Sequence, residues 1–487
     1  MAESLKQKTA TGLFWGALNS GTTQVLNLVI GIFLARLLTP EDYGIIGVLT
    51  IFTAIAGDLQ SAGYTHALIN MKNPTKREYN SVFTFNVVVS SCIYVILFLC
   101  APFIADFFNQ ECLVDVSRFV FLGFLISSFG IVHMGYMMKK MMNKEMAEIG
   151  FVSLVISGTV GILLALEGYG YWALAWNQII FILINSLGKY FFVKEWTPRL
   201  TLDMEPVIKM TPFAVKILVT RVVNTVSSNV LTVLFGRLFP VRMLGNYTQA
   251  FKWSNMAQML VVNNISQVAL TVLSESKSDT NGEEDTNRQL RVFRKMVRMT
   301  CFFSMPIMFG LCLVANEFIT LSIGAKWSDS VLLLQIFCVS GAFVPLYTMY
   351  QNLVLSHKRS DLYLWLTVFQ ILIQFTIILL LYKYGMVLMV TVYSLLLLIW
   401  LLPWHFFANS IIGYRWFDMI KDVMPFALAA AMVMLLTHVL TCWIDSLVIT
   451  FCMRIVLAAA LYYLVMKVAK VQILLDCEAF VRSKMGN

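Results

Sequence analysis

Charged residues are scarce in this sequence, and the motifs that carry catalysis are missing from it. Only 13% of the 487 residues are charged and 59% are hydrophobic, whereas soluble domains average about 25% charged residues. One globular core could not bury so many apolar side chains, which excludes a soluble globular protein. No Walker A, H-E-x-x-H or G-x-S-x-G motif occurs. We therefore predict that the protein is not an enzyme and has no catalytic residues, metal site or cofactor.

The cysteines and histidines follow no disulfide or ligand pattern. The nine cysteines include no C-x-x-C pair and mostly lie inside apolar runs, so we expect buried free thiols. The five histidines are scattered along the chain, with no two at metal-ligand spacing. Each histidine is therefore expected to play a structural part.

Long apolar runs, in contrast, are abundant. A helix needs about 20 mostly apolar residues to cross the hydrocarbon core of a bilayer, and fourteen stretches meet that requirement. We therefore predict an all-α polytopic membrane protein with fourteen transmembrane helices. These stretches are 12–35, 43–65, 81–104, 116–138, 147–167, 171–193, 212–236, 244–271, 296–320, 330–355, 362–382, 386–408, 423–443 and 446–466.

The distribution of charge predicts the orientation of the helices. If the N-terminus is cytoplasmic and the loops alternate, the inner segments hold 25 Lys and Arg residues and the outer segments hold 6. This bias follows the positive-inside rule, so both termini are predicted to be cytoplasmic. The net charge of +9 then reflects orientation and not nucleic-acid binding. The longest polar stretch, residues 274–295, is predicted to be a cytoplasmic loop.

Two copies of a six-span unit can be traced along the chain. Arg36 and Gly44 after the first span match Arg237 and Gly245 after the seventh, at an offset of 201 residues. Three weaker matches follow in the same order, at offsets near 214. Parallel repeats of this kind are typical of transporters with a binding site at the repeat interface. We predict a six-helix lobe at 1–200, a second at 201–412, and helices 13 and 14 with a cytoplasmic tail at 413–487.

Charged residues inside the predicted spans are candidates for function. Each costs at least about 2.5 kcal/mol unless it has a partner, a cavity or a route to the surface. Lys189 and Lys216 lie near span ends, where a lysine can extend to the surface. Arg454 lies in the last span, outside the repeats, and is expected to be an interfacial or interhelical charge. Arg221 and Lys252 lie about 14 and 12 Å from the ends of spans 7 and 8, near the middle of the bilayer.

Polar side chains share a helix face with both of these central cations. On span 7, Lys216, Asn224 and Arg221 fall within about 140°, and on span 8, Lys252 falls within about 80° of Asn255 and Asn263. Such a face lines a water-filled path or packs against a neighbouring helix. Two interpretations of this polar face remain open. It could form the cationic wall of a cavity for an anionic cargo, or it could make polar contacts between helices. The two cations could also approach one another, because their helices are consecutive and oppositely directed.

Asp58 is the one acidic residue that lies more than three residues inside a predicted span. It lies in the inner half of the membrane, about 22 Å from the outer end of span 2. It could carry a coupling proton or sodium ion, since a desolvated carboxylate has a raised pKa. It could equally pair with a cation.

Several stretches, taken as a set, resemble one known family. They are ARLLTPEDYG (35–44), AGYTHALINMKNPTKREYNSVFTFN (62–86), APFIADFF (101–108), GYGYWALAWNQ (168–178) and IGAKWSDSVLLLQI (323–336). The chain resembles the polysaccharide-transport family of the multidrug/oligosaccharidyl-lipid/polysaccharide exporter superfamily, which includes Wzx-type O-antigen flippases and the colanic-acid exporter. The resemblance is densest in the N-terminal repeat and is specific to the family, not to one cargo.

The resemblance implies a lipid flippase in the bacterial inner membrane. Such proteins move undecaprenyl-pyrophosphate-linked oligosaccharides to the periplasmic leaflet, through a cavity between two six-helix lobes. Their partners are the lipid-linked oligosaccharide, membrane lipids and, among assembly proteins, a polysaccharide polymerase. A pyrophosphate needs cationic partners, and sugars need amide groups. For this cargo Arg221 and Lys252, backed by Lys216, are the predicted phosphate ligands, and the predicted sugar ligands are Asn224, Asn255, Asn263 and Gln249.

Two other functions remain as alternatives. One is a cation-coupled multidrug exporter of the same superfamily, although cationic drugs favour cavity carboxylates, and the positions more than three residues inside a span hold five cations and one acid. The other is a polytopic glycan ligase or acyltransferase, which would need a large periplasmic domain or a catalytic cluster. The longest predicted outer loops have only about ten residues.

Overall fold

The computed structural model of the protein describes residues 5–61, 63–275, 283–357 and 359–485. All regular secondary structure in these ranges is helical. The α-helices are α1 (Leu5–Leu37), α2 (Pro40–Ser61), α3 (Tyr64–Asn70), α4 (Lys76–Phe108), α5 (Leu113–Lys139), α6 (Asn143–Leu166), α7 (Tyr171–Phe192), α8 (Glu205–Leu238), α9 (Val241–Glu275), α10 (Glu283–Leu313), α11 (Ala315–Ser322), α12 (Asp329–Gly341), α13 (Val344–Ser356), α14 (Ser360–Leu381), α15 (Met386–Ile399), α16 (Leu401–Ile412), α17 (Trp416–Thr441), α18 (Leu447–Val468) and α19 (Gln472–Met485).

Many of these helices are suited to a membrane. Ten helices in the described ranges are long and apolar enough to cross one, with α12 and α13 counted together and α15 and α16 counted together. Two parts of α8, residues 205–229 and 231–238, meet at 44° and would form an eleventh span. An all-helical, multi-pass membrane protein is therefore confirmed, while the count of fourteen spans stays a prediction.

The polar stretch 274–295 is largely helical. α9 continues to Glu275 and α10 begins at Glu283, so the prediction of a loop is wrong for residues 274–275 and 283–295. Residues 276–282 lie outside the described ranges. An exposed helix can keep polar side chains hydrated while its backbone groups bond internally. The predicted span 244–271 therefore ends where the hydropathy falls, whereas the helix continues to Glu275.

Residues 1–245 form one compact unit. In it, α5 packs against α4 and α7, α6 packs against α1 and α7, and α8 packs against α2, α3 and α4. Aromatic rings form a buried core where α3, α4 and α5 meet. The ring of Tyr79 lies 5.6 Å from that of Tyr136 and 5.4 Å from that of Trp196.

The segment between α7 and α8 is irregular and attached to α4. Asn80 Oδ1 accepts hydrogen bonds from Trp196 Nε1 at 3.0 Å and from the backbone N–H of Arg199 at 3.1 Å. Arg77 pairs with Asp203, and its guanidinium holds the pKa of Asp203 below the usual value. These contacts tie the start of α8 to the start of α4.

The two Arg-to-Gly segments of the repeat pack against one another in this unit. A Cβ atom added to Gly44 would lie 2.1 Å from the carbonyl oxygen of Val241, and one added to Gly245 would lie 1.7 Å from that of Pro40. Each contact is the counterpart of the other at the offset of 201 residues. Only glycine fits either position, which explains why both segments end in this residue.

Residues 246–487 form a second compact unit. α10 packs against α12, α13, α16, α17 and α18 and thus forms the centre of this unit. α12 also packs against α15, α13 against α16, and α11 against α18. The largest fully buried side chains here are Tyr247, Phe293, Trp327, Tyr350, Trp404 and Tyr414.

The described cysteines are free thiols. Cys301 and Cys338 are buried as expected, and the side chain of Cys477 lies outside the described part of the structure. The expectation of burial is wrong for three exposed cysteines, Cys92, Cys442 and Cys452. Lipid tails are as apolar as leucine side chains, so an apolar run does not distinguish a helix face turned to protein from one turned to lipid.

Candidate functional site

Asp58 of α2 and Arg221 of α8 lie side by side in the first unit. Oδ1 of Asp58 is 3.9 Å from Nη1 of Arg221, and Oδ2 accepts a hydrogen bond from the hydroxyl of Thr225. The side chain of Asp58 is 15% exposed and that of Arg221 is 43% exposed. Of the two possibilities for Asp58, pairing with a cation is the one that this structure contains. The two side chains are 3.9 Å apart, and the 43% exposure of Arg221 leaves part of its guanidinium uncovered.

His66 of α3 contacts the same arginine. Its Nε2 accepts a hydrogen bond from Nη2 of Arg221 at 2.6 Å, which requires a neutral imidazole because arginine can only donate. Burial, and then the positive charge of Arg221, lower the pKa of His66 below its ordinary value of 6.5. The imidazole therefore remains an acceptor for Arg221 at neutral pH.

Gly63 determines how closely α3 approaches α8. Its φ of +74° lies in the left-handed region that favours glycine, and a Cβ atom there would lie 2.5 Å from the carbonyl oxygen of Ala214. Beside it, the hydroxyls of Tyr64 and Thr211 are 3.0 Å apart. Ala214 and Arg221 are two turns apart on the same side of α8. Close packing at Gly63 is therefore what brings the imidazole of α3 to Arg221.

Lys216 and Asn224 lie on a different side of α8 from this packed surface. Lys216 is exposed and Asn224 is half-buried. Arg221 is about 140° from Lys216 around the helix, at the border between the packed side and the polar side.

The other predicted ligands lie on α9, in the second unit. Lys252 is half-buried, and its Nζ lies 5.3 Å from the centroid of the Trp253 ring. Asn255 is half-buried and Asn263 is exposed. Gln249 is fully buried, and its amide atoms have no hydrogen-bond partner among the residues that the structure describes. The approach of Lys252 to Arg221 stays a prediction.

Arg454 is a buried interhelical charge. Nη1 donates to Glu317 Oε1 at 2.8 Å and to the Leu313 carbonyl at 3.1 Å. Nη2 donates to His438 Nδ1 at 3.0 Å, and Nε donates to Thr441 Oγ1 at 3.1 Å. The side chains of Arg454 and Glu317 are 8% and 7% exposed. This network ties α18 to α10, α11 and α17 and occupies the donors of Arg454, which indicates a structural role.

Two of these functional contacts were missed by reasoning from the sequence. The scattered spacing of the histidines predicts a structural part for His66, and no pattern in the sequence singles out Glu317 as a partner. His66 is 155 residues from Arg221, and Glu317 is 137 residues from Arg454. The signal available in the sequence was the arginine itself in each case, since an arginine at membrane depth must find a partner.

Comparison with known proteins identifies relatives along most of the chain. Residues 33–332 match the model of a family described as polysaccharide biosynthesis protein. The lipopolysaccharide biosynthesis protein WzxC of Escherichia coli K12 is 25% identical over 375 residues, which cover 75% of this chain and 74% of WzxC.

Two solved structures of transport proteins have similar folds. The lipid II flippase MurJ, in an inward closed conformation, aligns with a TM-score of 0.72 at 14% identity, covering 93% of this chain and 98% of MurJ. An inward-facing multidrug resistance MATE family transporter of the MOP superfamily aligns with a TM-score of 0.61 at 16% identity, covering 85% of this chain and 94% of the transporter. At these identities the comparison establishes the fold alone.

Proposed function

Because the chain belongs to the polysaccharide biosynthesis protein family, we propose that it is a flippase that moves lipid-linked oligosaccharide units across the bacterial inner membrane by alternating access. The observation that carries this proposal is the family match over residues 33–332. The fold likeness to a lipid II flippase along 93% of the chain supports it. The cargo is an undecaprenyl-pyrophosphate-linked oligosaccharide destined for surface polysaccharide or lipopolysaccharide.

The proposal includes an arrangement in the membrane. Residues 1–200 and 201–412 form the two six-helix lobes, helices 13 and 14 follow within residues 413–487, and both termini are cytoplasmic. The bias of 25 to 6 basic residues between inner and outer segments supports this orientation. A polysaccharide polymerase and other assembly proteins are the proposed partners.

In this proposal the pyrophosphate binds to the cations and the sugars bind to the amides. Arg221 and Lys252, backed by Lys216, provide charge-assisted hydrogen bonds to phosphate oxygens. The 43% exposure of Arg221 supports this assignment. The sugar ligands are Asn224, Asn255, Asn263 and Gln249, the last of which can serve only in a conformation that opens its buried position on α9.

Asp58 is the proposed coupling group. It and the pyrophosphate compete for the same guanidinium, because Asp58 lies 3.9 Å from Arg221. A proton or sodium ion on Asp58 weakens its hold on Arg221 and frees the guanidinium for cargo. The cation-coupled drug exporter is less well supported, because Arg221 and Lys216 would repel a cationic drug.

Deletion of the gene tests the function. We expect surface polysaccharide to disappear and undecaprenyl-linked oligosaccharide to accumulate in the cell, because the units are made but not translocated. Mass spectrometry of extracted lipid-linked sugars and immunoblotting of surface polymer measure the two effects, and a plasmid copy should reverse both. Loss of polymer without accumulated precursor would contradict the proposal and point to a synthetic step, and a change in drug sensitivity alone would favour the drug exporter.

The variant Asp58→Asn tests the coupling. An amide mimics the protonated carboxyl, so transport into proteoliposomes should continue but vary by no more than about twofold as pH and sodium are changed. Asp445→Asn, at an exposed position between α17 and α18, is the matched control and should keep the wild-type dependence. Full dependence on pH and sodium in Asp58→Asn would remove Asp58 as the coupling group.

A further inference from the structure

A basic cavity lies beside the first half of α10 in the second unit. Arg291, Arg294, Lys295 and Arg298 follow one another at positions i, i+3, i+4 and i+7, which places them on one face of the helix. With Lys421 of α17 they line a cavity of about 520 Å³ between α10, α17 and the start of α19. None of these residues belongs to the candidate site described above.

A buried carboxylate holds two of the arginines in place. Asp422, whose side chain is 1% exposed, accepts hydrogen bonds from Nε and Nη2 of Arg294 at 2.7 and 3.1 Å and from Nε of Arg298 at 2.6 Å. The hydroxyl of Tyr414 donates to it at 3.2 Å, and Nη1 of Arg294 pairs with Asp418 at 2.9 Å. Arg294 is thereby fully engaged. The terminal nitrogens of Arg298 have no partner in the described part of the structure.

Positive charge is in excess at the cavity. Five basic side chains face three carboxylates. Lys295 is 3.5 Å from Asp476 and is thus paired. Arg291 and Lys421 are exposed and form no ion pair with any described residue. Together with the terminal nitrogens of Arg298, these two side chains supply the unpaired cationic donors of the cavity lining.

Part of the cavity lining is apolar and consists of Pro425, Phe426, Val471 and Ile473. A cavity lined by both cationic donors and apolar side chains suits an amphiphile that carries both a phosphate and hydrocarbon. Guanidinium groups bind phosphate through charge-assisted hydrogen bonds, and basic pockets between membrane helices bind anionic lipids. We propose that this cavity binds a phosphate ester, supplied as the headgroup of an anionic phospholipid. Its phosphate contacts Arg291, Arg298 and Lys421, and its glycerol and upper acyl chains lie against the apolar lining residues.

The bound headgroup bridges three helices. α10, α17 and the residues at the start of α19 all line the cavity, so the lipid stabilises the packing of the C-terminal helices on the centre of the unit. The inference depends only on residues of the second unit, and it stands whether or not the protein is a flippase.

Lipid retention by the full-length protein tests the proposal. The purified protein is placed in nanodiscs that contain equal amounts of dioleoylphosphatidylglycerol and dioleoylphosphatidylcholine, and the lipids that stay bound after release are counted by native mass spectrometry. We expect the wild type to retain phosphatidylglycerol about tenfold over phosphatidylcholine, the effect of one charge-assisted contact. The double variant Arg291→Gln/Lys421→Gln should lose this preference.

The control removes equal charge elsewhere. Arg288→Gln/Lys383→Gln changes two exposed cations that do not line the cavity, and it should keep the preference. Unfolding midpoints equal to that of the wild type in pure phosphatidylcholine nanodiscs establish that the variants are folded. If the double variant does not fold, the single variants Arg291→Gln and Lys421→Gln replace it, and each should lose part of the preference for phosphatidylglycerol.

Competition with a soluble ester distinguishes a site for lipid headgroups from a site that also binds phosphate esters in solution. Excess glycerol 1-phosphate that displaces the retained lipid would show that the cavity also takes esters from solution. Failure to displace it would show that the acyl chains are needed, and both results keep the phosphate site. The proposal is overturned if the wild type shows no preference for phosphatidylglycerol, or if Arg291→Gln/Lys421→Gln retains it as the wild type does.

Discussion

Replacing Arg221 and Lys252 together with alanine is expected to abolish surface polysaccharide while the protein remains in the membrane at its normal level. A hydrogen bond to a charged group contributes about 1.5–3 kcal/mol, and 1.4 kcal/mol is a factor of ten. Loss of one such bond from each cation should therefore slow transport by about 100-fold or more. Immunoblots of surface polymer and of the protein in membrane fractions measure the two quantities, and lipid-linked precursor should accumulate.

Two further variants make this result specific. Arg199→Ala/Lys383→Ala removes the same charge from exposed positions outside the predicted spans and should leave polymer at the wild-type level. Arg221→Lys keeps the charge but loses the planar fork that binds phosphate in two places, so it should fall between wild type and Arg221→Ala. Normal surface polymer in the double alanine variant would rule out Arg221 and Lys252 as the cargo site.

Removal of the carboxylate of Glu317 is expected to destabilise the protein severely. The variant Glu317→Ala leaves Arg454 buried without its counter-ion, which costs about 3–5 kcal/mol in a protein whose total stability is on the order of 5–15 kcal/mol. The midpoint of thermal unfolding and the amount of protein in the membrane should both drop. Unlike the loss of Arg221, this change acts on folding and not on cargo.

Removal of both charges should restore much of this loss. Glu317→Leu/Arg454→Met replaces the pair with apolar groups of similar volume, a change that is often neutral or stabilising for buried ion pairs. The matched control is Glu148→Ala, which breaks the exposed pair of Lys144 and Glu148, with side chains 56% and 44% exposed, and should change stability by at most about 1 kcal/mol. A wild-type unfolding midpoint for Glu317→Ala would show that the network does not hold α18 in place.

The class of protein followed from the sequence because hydropathy belongs to each segment on its own. Runs such as 81–104 and 147–167 predicted the spans within α4 and α6, and the family resemblance rested on local stretches that can be aligned directly. The same reasoning failed where a polar segment, predicted to be a loop, is helical. Residues 283–295 are polar yet helical, because an exposed helix satisfies its own backbone whatever solvent surrounds it.

Reasoning from the sequence predicted only part of the candidate site. Arg221 and Asp58 were identified as functional candidates because charge at membrane depth is costly, but no pattern indicated that they lie 3.9 Å apart. Nor could the sequence reveal that Gln249 is fully buried. Helix periodicity predicts which residues share a face, and it does not predict which neighbouring helix covers that face.

Composition and local pattern were thus enough to establish a many-helix membrane transporter and to single out its unusual charges. Packing alone settled which partners those charges have: His66 and Asp58 for Arg221, and Glu317 for Arg454. The physical reason is that hydropathy acts within one segment of the chain, whereas the contacts of the charges join segments that are far apart in sequence. The free energy of placing an apolar segment in lipid is summed along the chain, whereas a contact between residues 137 or 155 positions apart exists only once whole helices have packed against one another.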